Sequence, residues 1–314
     1  MQRLIACANL GRAVELWIPI TITAAFLQNL RSAGQKHLKS VMGTTGATFV
    51  RFGFGLPFAF LYLAILTTAA GYPLPVVTPA FFMWAIVGGL GQIGATFLLV
   101  YLFSFRNFAV GTAYSRTEPA QAAVFGLIFL GETVTPGVMT AIAISVVGVM
   151  LISVAHTQLS TRNLVTSLVS RNALIGLASG TLFGISAVAY RAASLALGGP
   201  NFIVQASVTL AFVILFQTAI MAAWMALREP GEFARIAKAW KPGLFVGFAG
   251  ATASFGWFMA MTLQQAAIVK ALAQIEMLFT FASSIFFFKE KINAYETIGC
   301  LLIVAGILML LVAG

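Results

Sequence analysis

Two glutamates, Glu118 and Glu276, lie near the middle of apolar stretches that are each long enough to cross a lipid bilayer. A carboxylate at that depth is costly, so it usually has a function or a compensating partner. Such a group can bind the cationic part of a substrate. It can also carry a proton, because burial favours the neutral form of a carboxyl group. The alternative is a structural ion pair or hydrogen bond inside a helix bundle.

The segment around Glu118 carries a polar face. At the 3.6-residue period of a helix, Tyr114, Ser115, Glu118 and Gln121 share one side, and the opposite side is mostly aliphatic. This pattern predicts a helix that forms one wall of a wet cavity. Pro119 lacks a backbone N–H and leaves the Ser115 carbonyl oxygen without its usual partner, so a kink is expected.

Glu276 has less polar surroundings. Its helix face carries Thr280 and Ser283, whose hydroxyls could hydrogen-bond the carboxylate or line a cavity. No proline follows it, because Met277 occupies the next position. If only one of the two carboxylates is functional, we expect it to be Glu118.

Two cations also lie inside apolar segments. Arg116 precedes Glu118 by two residues, about 200° around a helix, so the two side chains cannot pair on that helix. Lys270 is about one turn inside its segment, and we interpret it as snorkelling to the membrane interface. Either cation could instead attract the carboxylate of an amphoteric ligand such as an amino acid.

Three further arginines, Arg31, Arg51 and Arg191, lie closer to the ends of apolar segments, and we interpret them as interface anchors. Other tryptophans lie near the ends of apolar segments, as in an aromatic belt at the membrane surface, but Trp257 lies deeper in its segment. It is a candidate cavity residue, although packing in the core is the commoner role of a buried tryptophan.

The composition identifies an integral membrane protein. Of 314 residues, 60% are hydrophobic and 8% are charged, and the mean hydropathy is +0.98, well outside the range of soluble domains. The net charge of +10 does not indicate a nucleic-acid partner, because the basic residues sit at the ends of apolar segments. The two cysteines and two histidines are too scattered to hold a metal, so we expect no metal or cofactor.

Apolar runs of about 20 residues, the length that crosses a bilayer core, predict an all-α protein with ten transmembrane helices. We place them at 14–33, 44–69, 80–104, 108–130, 135–155, 172–197, 202–227, 242–262, 266–288 and 292–313. Between the seventh and eighth, apolar and basic residues at helical spacing in 228–241 indicate either a short helix on the membrane surface or a solvated loop.

The chain contains an internal repeat. Shifting 106–155 by 158 residues places it on 264–313 without a gap, and Glu118 then meets Glu276. Few positions are identical, but the identical positions include residue types that are rare in this chain. Of the eight acidic residues, two pair with two others at this offset.

The repeat divides the chain into two five-helix halves, 1–155 and 172–314, joined by a linker, 156–171. At an offset of 160, Arg31 also meets Arg191. Because five is odd, the halves must cross the membrane in opposite senses. Such inverted repeats are typical of secondary transporters, which bind substrate near the bilayer midplane between the halves.

Charge and glycine patterns add two expectations. Segments after the odd-numbered helices hold 12 basic residues and the opposite side holds 2, so the positive-inside rule puts both termini outside the cytoplasm. Small-residue faces indicate close helix packing. They comprise Gly176, Gly180 and Gly184 in the sixth helix, Gly88 and Gly91 in the third, and Gly247 in the eighth.

The chain resembles the EamA-type permeases, the ten-helix members of the drug/metabolite transporter superfamily. The resemblance covers essentially the whole chain and rests on Glu118-Pro119, Gly131-Glu132, the segment QIEMLFTFASSIFFFKEKI at 274–292 and the helix of Gly306. It implies export of amino acids, other metabolites or drugs, usually across a bacterial inner membrane. Many relatives keep their termini in the cytoplasm, so the orientation stays open.

We therefore expect a transporter that exports small metabolites such as amino acids by alternating access, with proton coupling through Glu118 or Glu276 as a hypothesis. A drug or nucleotide-sugar carrier is the second hypothesis, and a channel or membrane scaffold a more distant one. An enzyme is disfavoured because no His, Cys or Asp constellation lies at membrane depth. The expected partners are the substrate and the bilayer, with the chain acting as a monomer or homodimer.

Overall fold

A computed structural model of the chain describes residues 2–105, 114–154, 171–199, 201–286 and 294–313. At 2–15, 153–154, 280–281 and 283–286 it describes the backbone alone. Within these ranges the regular secondary structure is helical, and no strand occurs. The predicted all-α architecture is confirmed for this part of the chain.

The described residues of the first half form six α-helices. They are α1 (Gln2–Leu38), α2 (Thr44–Gly53), α3 (Leu56–Ala64), α4 (Pro79–Leu102), α5 (Glu118–Leu130) and α6 (Pro136–Val154). A π-helical turn, Ile65–Ala69, continues α3.

The second half contains seven α-helices in its described residues. They are α7 (Arg171–Ala196), α8 (Phe202–Arg228), α9 (Gly231–Lys238), α10 (Trp240–Leu263), α11 (Ala266–Leu272), α12 (Ile275–Phe286) and α13 (Ala294–Ala313).

Six described segments are long and apolar enough to span a membrane, so the predicted count of ten is not reached by length and hydropathy alone. They are Thr44–Ala69, Pro79–Leu102, Arg171–Ala196, Phe202–Arg228, Trp240–Leu263 and Ala294–Ala313. Two shorter apolar helices cover Glu118–Leu130 and Pro136–Ile152. The predicted span 266–288 falls short because a turn divides it into α11 and α12, and the start of the predicted span 108–130 lies outside the described residues.

Local sequence explains several helix ends. The Thr78 hydroxyl accepts a hydrogen bond from the Phe81 N–H at the start of α4, and the Asn201 side chain accepts one from the Ile203 N–H at the start of α8. Both are N-caps that satisfy otherwise free backbone donors. Gly131 ends α5 in the left-handed conformation, φ +65°, that glycine adopts without strain.

Corresponding helices of the two halves make corresponding contacts. Helix α1 packs on α10 and, reciprocally, α7 packs on α4. Helix α5 contacts α7, while α12 contacts α1. The last helices of the halves, α6 and α13, pack on each other. The interface between the halves is therefore approximately two-fold symmetric, as expected for repeats of one unit.

Glycines permit close approach at these contacts. A Cβ atom on Gly148 of α6 would lie 2.6 Å from the Gly299 carbonyl oxygen of α13, and a Cβ on Gly299 would lie 2.6 Å from the Gly148 carbonyl oxygen. Neither backbone oxygen can move without shifting its helix. This contact pairs α6 and α13 in a single register.

The glycines singled out in the sequence also lie at helix contacts. On α7, a Cβ at Gly180 would lie 2.9 Å from the Ser115 carbonyl oxygen and one at Gly184 would lie 3.3 Å from the Ala122 nitrogen, while Gly176 is buried on the same helix. On α4, a Cβ at Gly91 would meet the Leu182 carbonyl oxygen at 3.2 Å and one at Gly88 would meet the Tyr190 ring at 2.6 Å. Gly247 of α10 packs on the backbone of Phe54.

The segment 228–241 contains a helix, α9, rather than a solvated loop. Its residues Glu232 and Ile236 are buried. The Glu232 carboxylate accepts a hydrogen bond from the Gly43 N–H, and the Thr45 hydroxyl donates one to Glu229. These contacts attach α9 to the start of α2, so the segment is part of the folded bundle.

Candidate functional site

The fourth helix of each half is broken at an equivalent place. In the first half a turn at Arg116 and Thr117 separates the helical residues Tyr114 and Ser115 from α5. In the second half a turn at 273–274 separates α11 from α12. The predicted kink is therefore a complete break. Pro119 lies in the first turn of α5, where a missing N–H costs nothing.

The breaks place both glutamates at helix N-termini. Glu118 is the first residue of α5, and Glu276 is the second residue of α12. The free N–H groups and the partial positive charge of a helix N-terminus stabilise a carboxylate. The polar side chain of Gln274 reaches across the interface and donates a hydrogen bond to the Arg116 carbonyl oxygen, at 2.9 Å. One turn thus satisfies a backbone group that the other turn exposes.

Arg116 forms a two-point ion pair with Glu276 of the opposite half. Its Nη1 lies 2.6 Å from Oε2 and its Nη2 lies 3.0 Å from Oε1. The Gln28 amide of α1 donates a further hydrogen bond to Oε2, at 3.1 Å. Paired, charge-assisted hydrogen bonds of this kind are among the strongest in proteins. Glu276, only 2% exposed, is thus held by α1 and by the turn before α5.

Lys270 forms the complementary pair with Glu118. Its ammonium nitrogen lies 2.9 Å from Glu118 Oε1 and 4.6 Å from the centre of the Trp257 ring. The interpretation of Lys270 as a snorkelling residue is wrong, because its side chain points into the bundle and is buried. No described group makes a well-aligned hydrogen bond to Glu118 Oε1, so this carboxylate is held less firmly than Glu276.

The two ion pairs are reciprocal. Glu118 of the first half pairs with Lys270 of the second, and Glu276 of the second half pairs with Arg116 of the first. Each half therefore contributes one acid and one base to the other. Separation of the halves would pull each ion pair apart, which is costly wherever the charges stay buried in a low-dielectric interior.

A small polar cavity lies between the halves at this point. It has a volume of about 30 Å³, and its lining comprises Gln28, Arg31, Ser32, Leu99, Ser115, Arg116, Glu118, Phe183 and Lys270. Such a space holds one or two water molecules. An amino acid or any larger metabolite does not fit, so the described state is closed around the site.

Part of the polar face predicted around Glu118 reaches this cavity. Ser115 and Glu118 line it, and so does Arg116, which the helical projection had placed on the other side. The difference arises because the break resets the helical phase between 115 and 118. Gln121 instead donates a hydrogen bond to the Thr117 hydroxyl, at 2.7 Å, and Tyr114 is not among the lining residues.

Trp257 lies beside the site. Its ring is buried, and its indole N–H donates to the Gln28 side-chain oxygen at 3.0 Å. Gln28 in turn donates to Glu276. The tryptophan therefore contacts both ion pairs, one through Lys270 and one through Gln28.

Of the three arginines interpreted as interface anchors, Arg31 and Arg51 are buried in the bundle, so that interpretation is wrong for them, while Arg191 is partly buried. Arg31 and Arg51 are 2% and 3% exposed. Arg51 donates to the hydroxyls of Thr96 and Ser254, at 2.9 and 3.4 Å. A signal for the role of Arg31 was present in the sequence, because Gln28, Arg31, Ser32 and Gln35 form a polar stripe at helical spacing.

Arg191 is the third of these arginines. Its Nε lies 2.6 Å from the Glu132 carboxylate, and its Nη1 donates to the carbonyl oxygens of Met261 and Gln264, at 2.6 and 2.8 Å. It thereby satisfies free carbonyl groups at the end of α10. Removal of the buried Arg31 from the sequence-based count leaves 11 basic residues on one side against 2 on the other, and the orientation stays a prediction.

Comparison with known proteins decides the family. The profile of the EamA-like transporter family matches twice, at residues 15–154 and 171–312. The chain belongs to the EamA-like transporter family. This EamA-like protein is thus a multi-pass membrane transporter of the drug/metabolite type, with a small-molecule substrate and the lipid bilayer as its surroundings. Members of the family are transporters rather than enzymes.

Structural comparison supports the same fold. A protein solved by crystallography superposes on the EamA-like chain with a TM-score of 0.70 at 18% sequence identity, covering 95% of this chain and 96% of the other. At that identity the likeness concerns the fold alone. No curated protein matches the sequence. Among the described residues, no group of three or more His, Cys, Asp or Glu side chains could hold a metal ion.

Proposed function

We propose that this EamA-like protein is a secondary transporter that exports small metabolites, such as amino acids, by alternating access between two inverted five-helix halves. In this proposal the halves span residues 1–155 and 172–314, contribute ten membrane crossings in total and act as a monomer or homodimer in a bacterial inner membrane. No nucleic acid, metal or cofactor takes part.

The reciprocal ion pairs carry this proposal. They are the charged contacts that join the broken helices of opposite halves at a polar cavity. The cavity is too small for a metabolite, so a substrate can enter only if the halves move apart at this place. That movement stretches or exchanges the ion pairs. A substrate that brings its own charges replaces the lost partners and lowers the cost of the movement.

Glu118 is the proposed coupling residue. It lines the cavity and has one ionic partner, whereas Glu276 is held by two arginine contacts and one glutamine contact. A carboxylate that loses its lysine when the halves separate can bind a proton or a cationic group of the substrate. Movement of a proton with the substrate would then follow from alternate exposure of Glu118.

The experiment uses the purified full chain in proteoliposomes. A thermal-shift screen against amino acids, sugars, nucleosides and cationic drugs selects the solute, and counterflow of the labelled solute then reports carrier activity. Glu118→Gln removes the titratable group but retains its size and much of its hydrogen bonding. We expect this variant to lose proton-driven uptake by about tenfold or more while it retains some exchange.

Glu229→Gln is the matched control and should transport normally. Glu229 follows the end of α8, accepts a hydrogen bond from the Thr45 hydroxyl and does not line the cavity. Proton-driven uptake by Glu118→Gln at the wild-type rate would refute the role of Glu118. A flux far above the rate of a carrier cycle, without counterflow, would instead indicate a channel.

A further inference from the structure

Arg31 is a buried cation, and some of its hydrogen-bond donors have no partner among the described residues. Such a group is a candidate ligand-binding residue. It is 2% exposed and lines the polar cavity. Its Nη2 donates to the neighbouring Ser32 hydroxyl at 3.1 Å, but neither Nε nor Nη1 has a hydrogen-bond partner in the part of the chain that the structure describes. A guanidinium keeps its charge in proteins and offers five donors. Leaving two donating nitrogens unsatisfied in a buried site is costly.

The repeat supplies an internal comparison. Arg191 occupies the position that corresponds to Arg31 at the 160-residue offset. It is bound by the Glu132 carboxylate and two carbonyl oxygens. Nε and Nη1 are therefore bound in Arg191 of the second half, whereas the same two nitrogens of Arg31 have no partner among the described residues of the first half. Because the repeat alone does not demand free donors at this place, a function specific to the first half is indicated.

The charges around the cavity do not balance. Among the described residues the cluster comprises four cations and two carboxylates: Arg31, Arg51, Arg116 and Lys270 against Glu118 and Glu276. The two carboxylates are each committed to one cation, so an excess of two positive charges rests on Arg31 and Arg51. Protonation of either glutamate would only enlarge this excess.

Three other described carboxylates are engaged elsewhere. Glu132 binds Arg191, and Glu229 and Glu232 bind the start of α2. An anion from outside the chain can supply the counter-charge that the described residues do not bind to Arg31.

Arg51 strengthens the positive potential behind Arg31. Both side chains pack on Gly250 of α10, where an added Cβ would lie 3.2 Å from the Arg51 Cγ and 3.3 Å from the Arg31 Cδ. Arg51 is held by the neutral hydroxyls of Thr96 and Ser254, which satisfy its donors without cancelling its charge. In a low-dielectric setting two adjacent guanidinium groups that bind no described carboxylate directly attract an anion.

From this geometry we propose that the transported substrate is a small organic anion whose carboxylate or phosphate group binds Arg31. This deepens the proposed function, on which it rests. The anionic group takes the free Nε and Nη1 donors of Arg31 in the fork geometry that arginine offers to carboxylates and phosphates. A solute with no compensating cation fits the excess of positive charge, so a neutral zwitterionic amino acid binds less well than an anion of the same size.

The test uses charge-matched pairs of probes on the purified full chain at constant ionic strength. Lactate is compared with lactamide and with zwitterionic alanine, and glycerol phosphate with glycerol, by thermal shift and by isothermal titration. Lactate and glycerol phosphate distinguish a carboxylate from a phosphate site. We expect at least one anion to stabilise the protein, with its neutral partner and alanine about tenfold or more weaker, the value of one charge-assisted hydrogen bond.

Variants then assign the effect to Arg31. Arg31→Gln should weaken binding of the effective anion about tenfold or more, and Arg31→Lys, which keeps the charge but not the fork, should give an intermediate value. Arg228→Gln, the same change at an exposed arginine at the end of α8, should bind as wild type does. If Arg31→Gln does not fold, Arg31→Lys and the wild-type probe pairs still decide the matter.

Equal stabilisation by a probe and its uncharged partner, equal binding of alanine and lactate, or unchanged anion binding in Arg31→Gln would each overturn the proposal. Counterflow separates this inference from the transport function. Arg31-dependent anion binding without counterflow of the labelled anion would uphold the anion site and refute transport. Counterflow of neutral or cationic solutes alone would uphold transport and refute the anion site.

Discussion

Arg116 and Glu276 form the most firmly held charge pair of the interface, since two arginine contacts and one glutamine contact converge on one buried carboxylate. Such a pair contributes little net stability when compared with a well-packed apolar pair, but removal of one partner is expensive. Each member of the pair is therefore needed because the other would be a buried charge without a counter-charge.

Replacement of Arg116 by Gln should therefore destabilise the protein more than replacement of both members. We expect Arg116→Gln to lower the free energy of unfolding by about 3–5 kcal/mol, because Glu276 stays buried without a counter-charge. The double variant Arg116→Gln/Glu276→Gln should recover much of that loss. Denaturation in detergent, followed by circular dichroism, measures both. An additive double variant would show that the two side chains are not coupled.

The broken fourth helices are the elements that bring the charges together. In both halves the break exposes backbone groups at a depth where only protein or water can satisfy them, and the Gln274 amide satisfies one across the interface. The proline of the first half is not needed to make such a break, because the second half breaks in the same place with Met277 at the corresponding position.

We therefore expect Pro119→Met to be mild. The substitution copies the residue of the other half and should leave transport within about twofold of wild type, with a change in unfolding free energy of about 1 kcal/mol or less. The same transport and denaturation assays measure it. A loss of transport comparable to that of Glu118→Gln would show that the proline itself maintains the break.

The sequence predicts the helical elements of the fold but not the contacts that form the site. Hydropathy indicates the helical class, and the 158-residue repeat pairs Glu118 with Glu276, which the structure places at the starts of corresponding helices. The linker at 156–171 and the functional role of the two glutamates stay predictions. The partners of the two glutamates could not be derived, because each lies on a helix of the other half and local periodicity holds no information about contacts between halves. The sequence-based assignment of Lys270 and Arg51 to the membrane–water interface failed for the same reason. The position of a residue along a helix does not reveal whether another helix packs against its side chain.

The two halves of the molecule are joined on one symmetric interface. Helices α6 and α13 pack through Gly148 and Gly299, while α1 with α10 and α4 with α7 surround the charged cluster. If the halves rock against each other, the contact between Gly148 and Gly299 can remain closed while the charged region opens. The backbones at this glycine contact are packed too closely to shift out of register. The reciprocal ion pairs then mark the end of the interface that moves.

A charge exchange across the interface measures whether these pairs serve transport. Glu118→Lys and Lys270→Glu each place two like charges together in a buried site, and each should reduce counterflow in proteoliposomes about a hundredfold or more. The combined Glu118→Lys/Lys270→Glu variant restores opposite charges between the halves and should recover at least about tenfold over either single variant. Wild-type counterflow by either single variant, or no recovery in a folded double variant, would contradict a role of the Glu118–Lys270 pair in transport.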